Sequence, residues 1–481
     1  MRWRPGPTPP TDPTGRPTLT ERRAAVVGGG VAGLTAAYDL AQAGWSVTLL
    51  EATDRLGGKL AVAALDGVGL DSGVESLLAR RPEAIALLTE LGLTAEIVHP
   101  TPARPQLWLD GRVVALPPTL LGVPVDLTAL DGVLSAAGLA RAGQEPTLPA
   151  PALTTDVAIG VYVADRFGDE VTDRLLEPLL GGVYAGRSRE LSLAAVNPAL
   201  WARASTGGSL LAHAQSLAKS APPASGPVFA GLRGGVHRLA STLRDTLGAR
   251  GVDLRTGTMV RTVGRTADSS RGHRFRVDDT EFDAVVVATP AGPAARLLAD
   301  LVPQAAPLAA IPYASTAVVT LVLTDTGLHG SGLLVPPGQL PTVKALTYST
   351  NKWPWVAAAA TATWGEGAVV VRASLGRYGD AASLQVDDPT LVRRTLEELR
   401  VLPGWSDARL VTADVRRWGG ALPQYQVGHL ERIAAVEAAV NAVPGLALCG
   451  AALHGVGVPA CIGSGRAAAA TVIAAIPAGR E

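Results

Sequence analysis

Apolar runs and glycine turns alternate along the chain in an order that already suggests a fold. Residues 24–27 (Ala-Ala-Val-Val) form an unbroken apolar run, as expected of a strand covered on both faces. A glycine-rich turn, Gly28-Gly29-Gly30-Val31-Ala32-Gly33, follows, then a helix-like run over 34–43 closed by Gly44. Residues 46–50 read as a second strand ending at Glu51. Further on, 252–260 alternates like a strand, 282–290 is a buried strand ended by Pro290, and 446–450 is a buried strand running into Gly450. Between these pieces the pattern changes. Helix-like runs at 127–142, 157–167 and 171–180 predict a helical insertion, whereas Val, Leu and Thr runs at 317–323 and 368–374, with one helix over 389–400, predict a mixed sheet. No repeat or heptad pattern is present.

The first unit carries chemistry. Gly28-x-Gly30-x-x-Gly33, set between a strand and a helix, supplies a tight turn, close backbone approach to a pyrophosphate and close helix packing. Val31 and Ala32 open a helix whose free N–H groups and dipole favour negative charge. Glu51 ends the second strand, where it can accept hydrogen bonds from ribose hydroxyls. The next residues, Asp54-Arg55-Leu56-Gly57-Gly58-Lys59, resemble the Arg-x-Gly-Gly extension of FAD-containing amine oxidases and their relatives. That resemblance makes FAD the expected cofactor. Downstream, Gly455-Val456-Gly457-Val458-Pro459 and an alanine-rich helix over 464–476 look like the segment that closes over a flavin in that class.

Composition narrows the alternatives. Of 481 residues, 47% are hydrophobic and 17% charged, enough apolar side chain for a large core. Acids and bases balance at 42 each, so no global field recruits nucleic acid. Cys449 and Cys461 read as small buried positions in a cytoplasmic, reducing setting, and no apolar run is uninterrupted enough to predict a transmembrane helix. The proline-rich residues 1–21 predict a disordered leader. Metal-ligand spacing is absent, so no metal is expected.

Five further motifs extend the resemblance: Gly181-Gly182-Val183-Tyr184-Ala185-Gly186, Leu232-Arg233-Gly234-Gly235, Tyr348-Ser349-Thr350-Asn351-Lys352-Trp353-Pro354, Pro423-Gln424-Tyr425-Gln426-Val427-Gly428-His429 and Gly455 to Ile462. Together they resemble the oxygen-dependent protoporphyrinogen and coproporphyrinogen oxidases from about residue 24 onward, most of all the Gram-positive, coproporphyrin-forming branch. Ala460 stands where that family often has Asp, and the Tyr or Phe expected near His454 is missing, which bears on the local pocket wall.

The resemblance implies an α/β (α+β overall) fold in three parts. A discontinuous Rossmann-like FAD domain takes 22–76, 224–300 and 438–481, a substrate domain 77–90, 184–223 and 301–437, and a helical domain 91–183, which in some relatives contacts membranes. It implies non-covalent FAD, since Gly419-Gly420-Ala421 offers alanine where some amine oxidases attach flavin through cysteine. The expected cofactor residues are Gly28, Gly29, Gly30, Val31, Ala32, Gly33, Glu51, Ala52, Arg55, Gly57, Gly58, Lys59, Val260, Trp418, Gly450, Gly457 and Val458. The implied substrate is coproporphyrinogen III, with O2 as acceptor and H2O2 as product, and a transient contact with the pathway's ferrochelatase is a further expectation.

Removing six hydrogens from a porphyrinogen takes three two-electron steps with flavin N5 as hydride acceptor, and no catalytic side chain is assigned. A flat apolar disc with a carboxylate rim calls for apolar walls and a few cations. Arg80, Arg81, Lys344, Tyr184 and Tyr348 are the candidates, with Lys352 beside them; His429 and His454 read better as structural residues. Protoporphyrinogen oxidation, an amine oxidase or desaturase of the same superfamily, and a non-catalytic scaffold are the competing readings; an aromatic content of only 4% argues against an amine cage.

Overall fold

A computed structural model of the chain describes residues 22–220, 227–266, 274–324 and 326–477. The leader expected at 1–21 lies outside them. Five parallel strands build the nucleotide sheet in the order Asp253–Arg255, Ser46–Leu50, Arg23–Val27, Ala284–Val287 and Leu446–Leu448. Side-chain alternation explains why such short strands suffice. Ala24 and Val26 enter one core with Val286 and Ala447, while Ala25, Val27, Val285 and Val287 enter a second core on the other face. Each strand residue thus removes apolar surface from water, at about 25 cal/mol per Å². The helices Val31–Gln42 and Val458–Ala475 share the first core through Leu34, Ala36, Ala37, Ala468, Ala469 and Val472.

Val458–Ala475 is also long and apolar enough to cross a membrane, which the sequence pattern did not flag because Arg466 interrupts it. Its buried face makes it a core helix here, and Arg466 pairs with Glu90 at 2.7 Å.

A seven-stranded sheet runs Arg409–Pro423, Tyr313–Thr324, Val369–Leu375, Val343–Tyr348, Gly332–Leu334, Pro105–Leu109, Arg112–Ala115, and all its neighbours are antiparallel except Gly332–Leu334 with Pro105–Leu109. Two features differ from the sequence expectation. Residues 105–115, expected with the helical insertion, form a hairpin at the sheet edge, turned by Asp110 and Gly111 at φ of 51° and 76°. Two consecutive left-handed residues give a turn whose twist matches the strands, and Asp-Gly is its common sequence. The helices Leu193–Val196, Pro198–Ala204 and Leu210–Ser220, expected with the sheet, instead share a core with Ile159–Phe167 and Glu177–Tyr184. Buried Glu145 fixes that arrangement by accepting from Arg166 Nε at 2.8 Å and from the Leu210 N–H at 2.7 Å.

Candidate cofactor and active site

The glycines of the first turn have separate physical duties. Gly28 lies at φ +113°, and a Cβ there would stand 2.6 Å from the Ala288 carbonyl oxygen. At Gly33 a Cβ would stand 1.9 Å from the Gly28 oxygen, so helix and strand close only around hydrogen. Gly30 is the opposite case: a Cβ there meets nothing within 4 Å, because the position opens on a cavity. The first intrahelical bond runs from the Leu34 N–H to the Gly30 carbonyl, so the N–H groups of Val31, Ala32 and Gly33 lie outside the helical ladder. Gly30 caps the helix without a side chain, and no acid occupies the first turn. This end of the helix is therefore free to attract an anion.

A second glycine turn closes against the first. The Gly57 N–H donates to the Gly29 carbonyl at 2.8 Å, with Gly57 and Gly58 at φ +101° and +55°. Arg55 Nη2 donates to the Gly58 carbonyl at 2.7 Å, and its guanidinium lies 5.6 Å from the centre of the Trp418 ring. Glu51 accepts from the Gly29 N–H at 2.7 Å through one oxygen and from the Thr53 N–H and hydroxyl, both at 2.8 Å, through the other, leaving a lone pair on the first oxygen for a ribose hydroxyl. Lys59 lines the cavity, and burial lowers its pKa.

The opposite wall is the loop before the last helix. Gly457 caps Val458–Ala475 without a side chain, so a second helix N-terminus faces the cavity beside Gly450, Val456 and Val458. Tyr425 holds this loop: its hydroxyl donates to the Ala451 carbonyl and accepts from the Gly455 N–H at 2.8 Å. His429 stacks on Tyr425 with ring centres 4.0 Å apart and bonds the Leu453 carbonyl at 2.9 Å. Ala52, Thr258, Met259, Val260 and Arg261 line the cavity beside Glu51, Tyr313 and Pro423 bring in the seven-stranded sheet, and Val74 comes from the loop after the strand Val68–Asp71. Its volume is about 710 Å³, within the range of cofactor pockets.

Two uncapped helix ends, two glycine turns that leave backbone exposed, an acid at the strand end and an apolar far wall fit a long dinucleotide with an aromatic ring system. Of the residues expected at the cofactor, Gly28, Gly30, Val31, Ala32, Glu51, Ala52, Gly57, Gly58, Lys59, Val260, Gly450 and Val458 line the cavity. Gly29, Gly33, Arg55 and Gly457 shape its turns from behind. Trp418 is placed differently: its indole N–H donates to the Ser72 carbonyl at 3.2 Å, and it is not a lining residue.

None of the expected substrate residues lines the cavity either. Arg81 pairs with Glu83 at 2.6 Å at the start of the helix Pro82–Glu90, next to exposed Arg80. Buried Lys344 donates to the Gly376 carbonyl at 2.7 Å, and burial with Arg377 nearby lowers its pKa to about 7. Tyr348 packs on Trp405 with ring centres 5.7 Å apart. Tyr184 lies 5.7 Å from Tyr425, and burial raises its pKa to about 12. This aromatic pair, remote in sequence, is no amine cage, because Tyr425 spends its hydroxyl on backbone and neither ring reaches the cavity wall. The sequence also missed Tyr313, a lone tyrosine at a strand start with no motif around it. Among the described residues no group of three potential metal ligands occurs.

These features define a flavin-dependent oxidoreductase, and the comparisons place it. Residues 31–473 match the model of the flavin containing amine oxidoreductases, and the chain belongs to that family, with FAD as its cofactor. Within it, the chain is 37% identical over 473 residues to the coproporphyrinogen III oxidase of Mycobacterium tuberculosis, covering 96% of this chain and 99% of that one. It is 29% identical to the coproporphyrinogen III oxidase of Bacillus subtilis, over 93% and 97% of the two chains. A solved putative protoporphyrinogen oxidase from Exiguobacterium superposes with a TM-score of 0.80 at 28% identity, covering 94% of this chain and 99% of that one. Putrescine oxidase, at 0.64 and 18% over 94% and 99%, shares the fold.

Proposed function

We propose that the chain oxidises coproporphyrinogen III to coproporphyrin III with O2 as terminal acceptor, releasing H2O2, in haem biosynthesis. The observation that carries this reading is the 37% identity to a coproporphyrinogen III oxidase along nearly the whole of both chains. The cavity supports it. The bound FAD supplies the hydride acceptor; the protein supplies position and electrostatics. The free N–H groups at Val31, Ala32 and Gly33 hold the pyrophosphate, Lys59 adds a cation, and Glu51 holds the ribose. The Gly457-capped helix end faces the cavity near Tyr313, Pro423, Val456 and Val74, where apolar walls exclude water from the reacting carbon. FAD is held without a covalent bond in this reading, since Gly419-Gly420-Ala421 carries alanine where some amine oxidases attach the flavin through cysteine.

The substrate enters at the Tyr313 end, between the seven-stranded sheet and the helical core. Arg80 and Arg81, outside the lined cavity at the start of the helix Pro82–Glu90, are the cations offered to propionates; buried Tyr184, Lys344 and Tyr348 contribute through packing alone. The test is anaerobic mixing of the flavin-loaded protein with coproporphyrinogen III: the visible flavin absorbance bleaches and returns when air is admitted. Flavin that stays oxidised with coproporphyrinogen III but bleaches with an amine points to an amine oxidase instead.

A further inference from the structure

The segment from Asp71 to Glu75 bonds to the glycine-turn side at Lys59, to the helix start at Val236 and His237, and to Arg372, Trp418 and Ser349, and it carries two buried acids four residues apart. Asp71 accepts from the N–H groups of Val236 at 2.8 Å and His237 at 2.9 Å. The Ser72 carbonyl accepts from Trp418 at 3.2 Å, and Trp418 in turn lies under Arg55, which grips Gly58 of the glycine turn at 2.7 Å. A Cβ on Gly73 would stand 2.1 Å from the Lys59 oxygen and 3.0 Å from the Trp418 ring, so this strand of contacts is packed to backbone distance. Arg372 Nη2, on the central strand Val369–Leu375, donates to the Gly73 carbonyl at 2.6 Å. Val74 then forms cavity wall, and its N–H donates to the Lys59 carbonyl at 3.2 Å.

Glu75 closes the set. Its carboxylate lies 3.1 Å from Lys352 Nζ and 3.5 Å from Arg372 Nη1, and accepts from the Ser349 hydroxyl. The three ionisable side chains are 8–18% exposed, so they interact at low dielectric and are weakly screened. Two cations face one acid, and the Arg372 Nε has no hydrogen-bond partner. Without Glu75 the segment would meet two like charges, Arg372 from the seven-stranded sheet and Lys352 from the short helix Ser349–Lys352.

We infer that Glu75 is a positioning residue whose ion pairs with Arg372 and Lys352 clasp the cofactor-binding turn to the seven-stranded sheet and to the short helix Ser349–Lys352 that follows one of its strands, so that FAD affinity depends on a carboxylate outside the cavity wall. The path is Glu75 to Arg372 to Gly73 to Trp418 and Arg55 to Gly58, with Val74 and Lys59 alongside. It does not depend on which porphyrinogen is oxidised.

The test is FAD titration of apoprotein, followed by quenching of flavin fluorescence. Glu75→Gln keeps the shape and leaves two buried cations unmatched; its Kd for FAD is expected to rise at least about tenfold. Glu75→Gln with Lys352→Gln returns the cluster to its parental net charge but leaves Arg372 without its acid, so its Kd is expected to fall only part of the way back, several-fold below that of Glu75→Gln and still above the parent. Such recovery by a second loss is a charge effect that simple loss of packing would not give. If Glu75→Gln does not fold, Lys352→Gln alone, which keeps the Arg372 pair, reports the clasp through a smaller rise in Kd. Parental affinity in the foldable single variants, or a double variant no tighter than Glu75→Gln alone, overturns the inference.

Discussion

At the scale of single residues, Gly30 and Gly33 predict opposite failures. Gly30→Asp adds a side chain where the protein has only empty space, so the apoprotein folds with an unchanged melting temperature. It loses FAD because a carboxylate then occupies the anion position. Gly33→Ala instead drives a methyl against the Gly28 oxygen, and the apoprotein itself loses about 1–3 kcal/mol, seen as a lower melting temperature. Full flavin retention by Gly30→Asp contradicts the placement of the pyrophosphate. Both duties were legible in Gly28-x-Gly30-x-x-Gly33, because the spacing encodes backbone geometry. Lys344 was legible only as a cation. Its burial is set by strands that meet from distant parts of the chain, and that turns it from a surface charge into a strained one.

Lys344 therefore yields a pH prediction with a definite sign. Its folded pKa is lowered to about 7, mainly by burial, whereas the unfolded side chain titrates near the ordinary lysine value of about 10.4. Between those values the unfolded chain binds the extra proton, so this group makes stability rise with pH by up to about 1.4 kcal/mol per pH unit. Below about pH 7 both states are protonated and the full cost stands. Lys344→Met should thus be more stable than the parent at pH 6, with the difference shrinking as pH rises from 7 towards 10. Parallel melting curves at all pH values would contradict this.

At the scale of elements, the loop that closes the cavity depends on one tyrosine. Tyr425→Phe removes two hydrogen bonds to the 451–455 backbone and leaves a half-buried carbonyl and N–H unmatched, at about 1 kcal/mol each. FAD should dissociate faster from this variant, and amides at 450–457 should exchange faster with solvent, while the rest of the sheet keeps its protection. The strands and helices of the nucleotide unit were readable because each has its own apolar run and its own glycine stop. The hairpin at 105–115 was not read, although Leu109-Asp110-Gly111-Arg112 carries the Asp-Gly turn in plain view. Nor could the helices at 193–220 be assigned, since what draws them from the sheet is buried Glu145, whose partners lie well apart along the chain.

In the whole molecule, the two cores on the faces of the five-stranded sheet and the end of the seven-stranded sheet meet around a cavity, and the helical core adjoins it through Val456. The fold class and the flavin could be read from the order of motifs along the chain, since that order reflects how the separate segments come together. The substrate could not be read to the same depth: a disc with carboxylates needs shape and a few cations, and neither leaves a spaced motif. The propionate rim gives the account its specificity. Replacing Arg80 or Arg81 by Ala should raise KM for the four-propionate substrate more than for the two-propionate one, with kcat little changed, as expected when a ground-state contact is lost. Equal effects on both substrates would remove these arginines from the rim.

Oxidation of a porphyrinogen with oxygen as acceptor is open to a direct assay. Purified flavin-loaded protein is given coproporphyrinogen III in air, without added nicotinamide, quinone or metal, while porphyrin fluorescence, oxygen and peroxide are followed together. Coproporphyrin III is expected to appear with three O2 consumed and three H2O2 formed per porphyrin, one for each two-electron step, and at a faster rate than with protoporphyrinogen IX. No porphyrin above the non-enzymatic rate, or porphyrin formed only when another acceptor is supplied, would contradict it.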